Sequence, residues 1–482
     1  MVNAIAFLPE LVLSVGALAL FGLALSNADV RRARLVAACT AAGVFLCTVA
    51  TLWHRAILFH GAYSVDQFSQ LIKLIIALGY LAVVLISGEL PDVRPELKPE
   101  YFLFVTLSVA GLVALVSAVE LITIVVCLEL VSLPLYALVA MRRERAGWRG
   151  QMEAAIKYVV FGTTATGLTL FGISCLYGLT GSTALAELVQ RLPPLMHSPV
   201  AVVGLGLAVA GLFYKLAAFP FHFWTPDVYQ GGPNQTAALI ASLPKIGAVA
   251  VLVRFAGLAG PGNGHLVLVL SVFAVCSMLY GNLIALVQRD LKRLFGFSAI
   301  AHAGYALIGL AVLGQEGYTA ALFHVISYAV MVLACFAVIC RVAREGENLN
   351  LEDLAGLWQR APLLGATLLV GVFGLAGVPP LAGFMGKLLL LKSALAQGYL
   401  VLFFTALVNT VIAIYYYLQI IREAFFREPG ARPLIELDTP TRLLCTALMA
   451  VTILLGIAPG WLLDQLSACT KIALLSVGGN GL

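Results

Sequence analysis

Apolar stretches of about 20 residues, the length that crosses a bilayer as a helix, follow one another almost end to end along this 482-residue chain. Hydrophobic residues make up 61% of it and charged residues 11%, where a soluble domain carries about 25% charged. The mean hydropathy is +1.00. The chain therefore reads as a polytopic, all-α membrane protein, which excludes a soluble enzyme, a nucleic-acid binder and a disordered protein. The net charge of +5 does not point to a polyanion, because the basic residues sit between apolar runs and act as topology signals.

The nine cysteines, among them Cys39, Cys127, Cys276, Cys335 and Cys340, are scattered singly in apolar runs. They form no CxxC pair and no iron–sulfur spacing, so they read as small buried hydrophobes. Met1 to Ser26 lacks a basic start and reads as a first span rather than a cleaved signal. The sequence has no dinucleotide fingerprint, P-loop or haem motif. Electrons in such a system would move through another chain.

Fourteen spans are expected, over 5–25, 34–53, 68–88, 100–118, 120–140, 153–178, 199–219, 233–256, 265–287, 291–313, 317–341, 362–397, 398–421 and 442–463. No linker is long enough for a second soluble domain, so 1–482 reads as one membrane domain. Loops from odd to even spans carry Arg31, Arg32, Arg34, Arg94, Lys98, Arg142, Arg143, Arg145, Arg149, Arg289, Lys292, Arg293, Arg341, Arg344, Arg360, Arg422, Arg427, Arg432 and Arg442. The opposite loops show little beyond Arg55, Arg191 and Arg254. The bias places the odd-to-even loops in the cytoplasm and both termini outside.

Two spans are interrupted. In the seventh, Pro220 ends a helix, and Thr225-Pro226-Asp227 looks like a fresh start with Thr225 as N-cap. In the twelfth, Gly377 to Lys387 holds Pro379, Pro380 and two further glycines inside a stretch too long for one span. Irregular backbone at membrane depth survives only where protein or water satisfies it, and paired breaks in two halves of a chain point to a transport site on inverted repeats. Breaks five spans apart pair the fourth to eighth spans (about 100–256) with the ninth to thirteenth (about 265–421). Pro134 and Pro244 each free a carbonyl near an ionisable group, Glu129 and Lys245 respectively, where water could be held.

Glu129, Lys157, Lys215, Lys245 and Lys387 are expected well inside apolar helices. A charge at the bilayer centre costs about 2.5–3.5 kcal/mol on insertion scales, so such residues are functional candidates. Burial destabilises the charged form of lysine and a nearby carboxylate favours it. A Glu129–Lys215 pair of variable separation would therefore load and unload a proton. A static ion pair is the bland alternative, but one carboxylate cannot closely pair four lysines. Lys73 and Lys392 lie nearer helix ends and are expected to snorkel. His302 and His324 are either packing residues or relays between Lys245 and Lys387. His222 and Asp227 flank the first break, in loop-stabilising or proton-uptake roles. Tyr415, Tyr416 and Tyr417 read as packing or interface anchors. No metal site is implied.

The stretch from Lys215 to Tyr229, KLAAFPFHFWTPDVY, resembles the broken seventh helix of the antiporter-like subunits of respiratory complex I. DLKRL from Asp290 and SAIAHAGY from Ser298 resemble their nine-to-ten signature, and PPLAGFMGK ending at Lys387 their twelfth-helix break. The resemblance covers nearly the whole chain. Within the family it is closest to the member that ends after about fourteen helices with FLPEL, here from Phe7, near its start. A lysine stands at 387 where the middle member has glutamate.

The resemblance implies two inverted five-helix bundles, with Glu129, Lys215, Lys245, His302 and Lys387 on a proton-translocating axis. His324 stands where the family varies. It further implies a bacterial inner (plasma) membrane location and other membrane-arm subunits as partners, both antiporter-like and small, with the lipid bilayer around them. No cofactor is expected in this chain; NADH, FMN, iron–sulfur clusters and quinone would belong to other subunits. The main rival is the homologous subunit of a multisubunit cation/proton antiporter or membrane-bound hydrogenase, although lysine is a poor sodium ligand. A stand-alone solute transporter would need a substrate cavity, and a pure scaffold would tolerate neutralised Lys215.

Overall fold

The computed structural model describes residues 5–26, 29–143, 150–259, 263–430 and 432–477, so Arg145 and Arg149 lie outside the described residues. Among these, thirteen helices are long and apolar enough to cross a membrane. They correspond to the expected spans except the twelfth, which is split into Pro362–Ala376 and Ala382–Ala396. Polar residues at the ends decide where several begin. Asp66 and Ser69 exchange side-chain and backbone hydrogen bonds at the start of Gln67–Ser87. Glu120 accepts from the Ile122 and Thr123 N–H groups ahead of Leu121–Ala140. Asp29 caps Val30–Ala50, which draws Arg31, Arg32 and Arg34 into the first helical turns rather than a loop.

The spans differ sharply in burial. Over their apolar windows Asn234–Leu258 and Leu291–Ala311 are fully buried and Gln315–Val342 is 94% buried, whereas the first, second and sixth spans are buried over 33%. A polar side chain within those windows of the eighth, tenth or eleventh span thus faces protein.

Each face of the bundle is knitted differently. On one, Arg142 pairs with Asp92 and donates to the carbonyls of Gln230 at 2.7 Å and Gly346 at 2.8 Å. Lys292 Nζ reaches the Gly232 carbonyl at 2.8 Å, and Leu291 N–H reaches Leu349 at 2.8 Å. These contacts join loops that follow the third, fifth, seventh, ninth and eleventh spans, so the odd-to-even loops share one face. The opposite face carries a hairpin, β1 (Ala56–Leu58) and β2 (Tyr63–Val65), bonded through Ser64 and Ala62 to the connection at Ser117 and Val119.

The last expected span, 442–463, is shorter, and a further helix follows it. Thr439–Ile457 ends before Pro459, and Gly460–Val477 runs on across the hairpin face. There Gln315 donates to the Ser467 carbonyl at 3.0 Å, and Cys469 reaches the Gln67 carbonyl at 3.6 Å. Asp464 and Lys471 dilute its hydropathy, which hides it from a search for spans.

Both breaks are real. The seventh span runs over Pro199–Ala208 and Ala210–Leu216, turns at Ala217 with φ +64°, and resumes at Thr225–Gly231. Thr225 is the first helical residue, one past the cap position expected for it, and its hydroxyl has no partner among the described residues. The twelfth turns at Gly377 with φ +87°. A Cβ on Gly383 would overlap the Gly374 carbonyl oxygen, so the second half folds tightly back on the first. Pro134 and Pro244 lie inside continuous helices.

Candidate functional site

Lys215 sits in the last turn before the first break, 4% exposed. Its ammonium faces the rings of Tyr136, Tyr158 and Tyr214, with centroids at 5.9, 5.7 and 5.5 Å. The chain beyond the break closes this cage: Trp224 stacks on Tyr158 at 4.7 Å and donates to the Tyr214 carbonyl at 3.2 Å. Ring faces attract a cation weakly, by about 0.5–2 kcal/mol each. Among the described residues Lys215 Nζ has no hydrogen-bond partner.

The expected Glu129–Lys215 contact is not a direct ion pair. Glu129 accepts a hydrogen bond from the Thr166 hydroxyl and acts on Lys215 only through space. A small cavity beside Lys215 is lined by Ser132, Tyr136, Thr166, Thr169, Tyr214 and Lys215. Thr166 therefore touches both the carboxylate and the space in front of the amine. Carboxylate and amine come from different helices, and sequence alone carries no signal for the threonine between them.

Breaking the seventh helix strands the carbonyls of its last turn. One of them, Leu216, accepts from Lys245 Nζ at 2.6 Å. Lys245, on the fully buried eighth span, is thus held against the residue next to Lys215. At the second break Lys387 Nζ donates to the carbonyls of Leu375 at 3.1 Å and Ala376 at 2.9 Å, beneath the Tyr305 ring at 4.9 Å.

His302, on the tenth span, is 5% exposed. Its Nδ1 is 3.3 Å from His324 Nε2, and its Nε2 is 3.4 Å from the Tyr417 hydroxyl, which bonds Ser298 at 2.5 Å. His324 in turn lies against Gly386, the neighbour of Lys387: a Cβ there would meet its Nδ1 at 3.1 Å. The tyrosine run divides by phase. Tyr417 joins the histidines, Tyr416 bonds Asn282 at 2.9 Å, and Tyr415 is exposed.

Two expectations are corrected. Lys157 is not deep in an apolar helix; it is 38% exposed and pairs with Glu153 at 2.7 Å and Asp227 at 2.6 Å. Asp227 also binds Arg293 at 2.6 Å, so these groups form a separate cluster beside the line from Lys215 to Lys387. The helix begins at Gly150, which leaves Lys157 near its solvated start. Lys73 does not snorkel. It is fully buried and pairs with Glu10 at 2.5 Å, because the first span covers it. Lys392 is exposed, and His222 is buried among Phe219, Phe223 and Tyr280, with neither ring nitrogen bonded among the described residues. Among the described residues no three His, Cys, Asp or Glu side chains are grouped to hold a metal.

The profile of the family described as "NADH:quinone oxidoreductase/Mrp antiporter, TM" matches residues 118–413. The chain is 56% identical to NADH-quinone oxidoreductase subunit N 2 of Opitutus terrae, over 97% of its own length and 98% of that protein. It superimposes on a chain of respiratory complex I from Thermus thermophilus with TM-score 0.81 and 33% identity, covering 95% of this chain and 99% of that one. A chain of the Mrp complex from a Dietzia species shares the fold at TM-score 0.88 and 21% identity, covering 99% of this chain and all of that one.

Proposed function

The chain belongs to the NADH:quinone oxidoreductase/Mrp antiporter membrane family as an antiporter-like, proton-translocating membrane-arm subunit of NADH:quinone oxidoreductase, and we propose that Lys215, Lys245, His302 and Lys387 carry its proton line. Electron transfer from NADH to quinone would be the work of other subunits, with NADH, FMN, iron–sulfur clusters and quinone bound there. This chain assembles with other membrane subunits; we place antiporter-like and small membrane-arm subunits beside it, in the bacterial inner membrane. The arginine-rich face is the cytoplasmic one, and the hairpin and closing helix are outside. The two breaks divide one membrane domain into inverted repeats over the fourth to eighth and ninth to thirteenth spans.

In this reading Lys215 takes a proton from the Thr166-lined cavity while Glu129 is charged nearby. An ammonium caged only by ring faces and lacking a bonded anion is costly to keep at membrane depth. The proton therefore moves on when a neighbour can hold it better. Lys245 is such a neighbour, fixed on the Leu216 carbonyl by the same helix break. The His302–His324 pair offers the next acceptors, and Lys387 the last. Conformational change elsewhere in the complex would set the Glu129–Lys215 separation.

The observation that carries the proposal is that both helix breaks at membrane depth hold a buried lysine on their freed carbonyls. These ammonium groups stand where a sodium ion would need oxygen ligands, which argues against sodium carriage. The test is purification of the tagged chain from native membranes, followed by proton transport in vesicles. NADH:quinone oxidoreductase activity should copurify, and Lys215→Ala should assemble but lose proton transport. Copurification with hydrogenase or antiporter subunits and no NADH oxidation would reject the assignment.

A further inference from the structure

Between the seventh and ninth spans lies a groove of about 390 Å³ that the proton line does not use. Val202, Leu205 and Val209 form one wall, and Leu266, Val269 and Leu270 the other. Its floor is Leu252, Phe255 and Leu310, buried side chains of the eighth and tenth spans. The inner end is closed at the first break, where the Phe213 ring lies 6.5 Å from Phe221 and 5.8 Å from Phe273, centroid to centroid. The outer end differs in chemistry. Asn263, His265 and Tyr318 are the polar side chains among the lining residues, and all three stand where the ninth or eleventh span begins, on the hairpin face. Phe273 follows His265 by eight residues, which is about 12 Å of helix. Half of a hydrocarbon core about 30 Å thick is of similar length, so the groove is close to one leaflet deep.

The groove opens sideways toward the bilayer, with Val203, Gly206 and Val269 exposed on its lips. Carbon walls offer water nothing to bond, and cavities of that kind stay dry. An empty groove would forgo the dispersion contacts of every side chain lining it. A neighbouring helix packs in a membrane through small residues or polar groups along its seam. These lips carry one glycine among valines and leucines, and their polar groups are confined to one end. A hydrocarbon tail needs neither device, and the surrounding bilayer supplies it. The polar outer end, with exposed His265, then stands at the depth of a head group.

We propose that this groove binds one acyl tail of a phospholipid from the hairpin-face leaflet, with the head group beside Asn263 and His265. The methyl end of the tail abuts Phe213, Phe221 and Phe273. It completes a wall that the protein leaves open behind the first break, since Phe213 precedes the left-handed turn at Ala217 and Phe221 follows it. A ligand that binds only the folded chain stabilises it by mass action, so the lipid adds to the stability of the subunit. The site stands whether or not Lys215 to Lys387 carry protons.

The test uses the assembled complex in vesicles of phosphatidylethanolamine and phosphatidylglycerol, with a trace of phosphatidylglycerol bearing a photoactivatable diazirine near the end of one tail. After a chase with excess unlabelled lipid, photolysis should leave label on residues 213–221 and 266–273, several times denser than elsewhere on the chain. Label there no denser than elsewhere would mean boundary lipid only and would overturn the proposal. Absence of label there would mean that another subunit covers the groove, and would overturn it too. Gly206→Phe fills the groove from its lip, and the helix accepts the ring because a Cβ at Gly206 meets no atom within 4 Å. It should cut the groove label several-fold and make the thermal midpoint of the complex less sensitive to phospholipid depletion than that of wild type. Label or lipid sensitivity equal to wild type would overturn the site. Should Gly206→Phe fail to assemble, Val269→Phe fills the groove from the opposite wall and carries the same expectations.

Discussion

The two broken helices solve one problem with opposite wiring. Each ends its first half on a left-handed residue and strands carbonyls at membrane depth, where no lipid can bond them. At the second break the capping amine, Lys387, comes from the same span and reaches both Leu375 and Ala376. At the first it is Lys245, from the neighbouring eighth span, on Leu216. That arrangement leaves Lys215 among tyrosine rings, with no hydrogen bond of its own among the described residues. The second break is therefore built to hold its cation, and the first to hold one lysine and leave another free. A buried cation with least to lose on deprotonation is the natural place to load and unload a proton.

This difference predicts unequal mutants. Lys387→Met should stop proton transport and also destabilise the chain by about 2–6 kcal/mol, because it strands two buried carbonyls at about 1–3 kcal/mol each. Lys215→Met should stop transport equally while leaving stability within about 1 kcal/mol, since removing a buried charge offsets the lost ring attraction and no hydrogen bond among the described residues is broken. Transport and the thermal midpoint of the assembled complex distinguish the two, and equal destabilisation would break the comparison. The left-handed turns offer a sharper version. Gly377→Ala should cost about 1–2 kcal/mol for the backbone alone, and its Cβ would stand 3.0 Å from Lys387 Cδ, so transport should fall as well. Ala217→Gly relieves the same strain at the first break and should raise stability by up to about 1 kcal/mol. Thr166→Val should cost about 1 kcal/mol or less. It should slow transport without abolishing it, with recovery in Thr166→Ser, because only the hydroxyl bridges Glu129 and the cavity.

What was readable from sequence follows from what is local. Apolar length located the spans, and proline with glycine located the breaks, because both act within a few residues of chain. Lys215, Lys245, His302 and Lys387 stood out for the same reason: each is one polar group in a local apolar run. Lys73 and Lys157 show the limit. Both lie one to two turns inside a helix start, yet the first is fully buried under Glu10 and the second is 38% exposed. Which of two such lysines is covered depends on helices distant in sequence. The Thr166 bridge, the choice of Tyr417 over Tyr415, and the Lys245–Leu216 contact are long-range in the same sense. The closing helix escaped notice because it lies across the bundle ends and needs no span-like hydropathy.

The smallest effect concerns a contact that only the first break has. Asp227, in the resumed half of the seventh span, is clamped by Lys157 from the sixth and Arg293 from the tenth, and its side chain is 25% exposed. The second break closes through glycine contacts instead. If Asp227 only steadies the resumed helix, Asp227→Asn should lower stability by less than about 1 kcal/mol, as the loss of partly solvated ion pairs does. The loss should shrink in high salt, which screens the wild-type pairs. Proton transport would then match wild type at every pH. A transport loss larger than the stability loss would move Asp227 into the proton path, so that only the first break would join its lysine to a carboxylate leading toward the arginine-rich face.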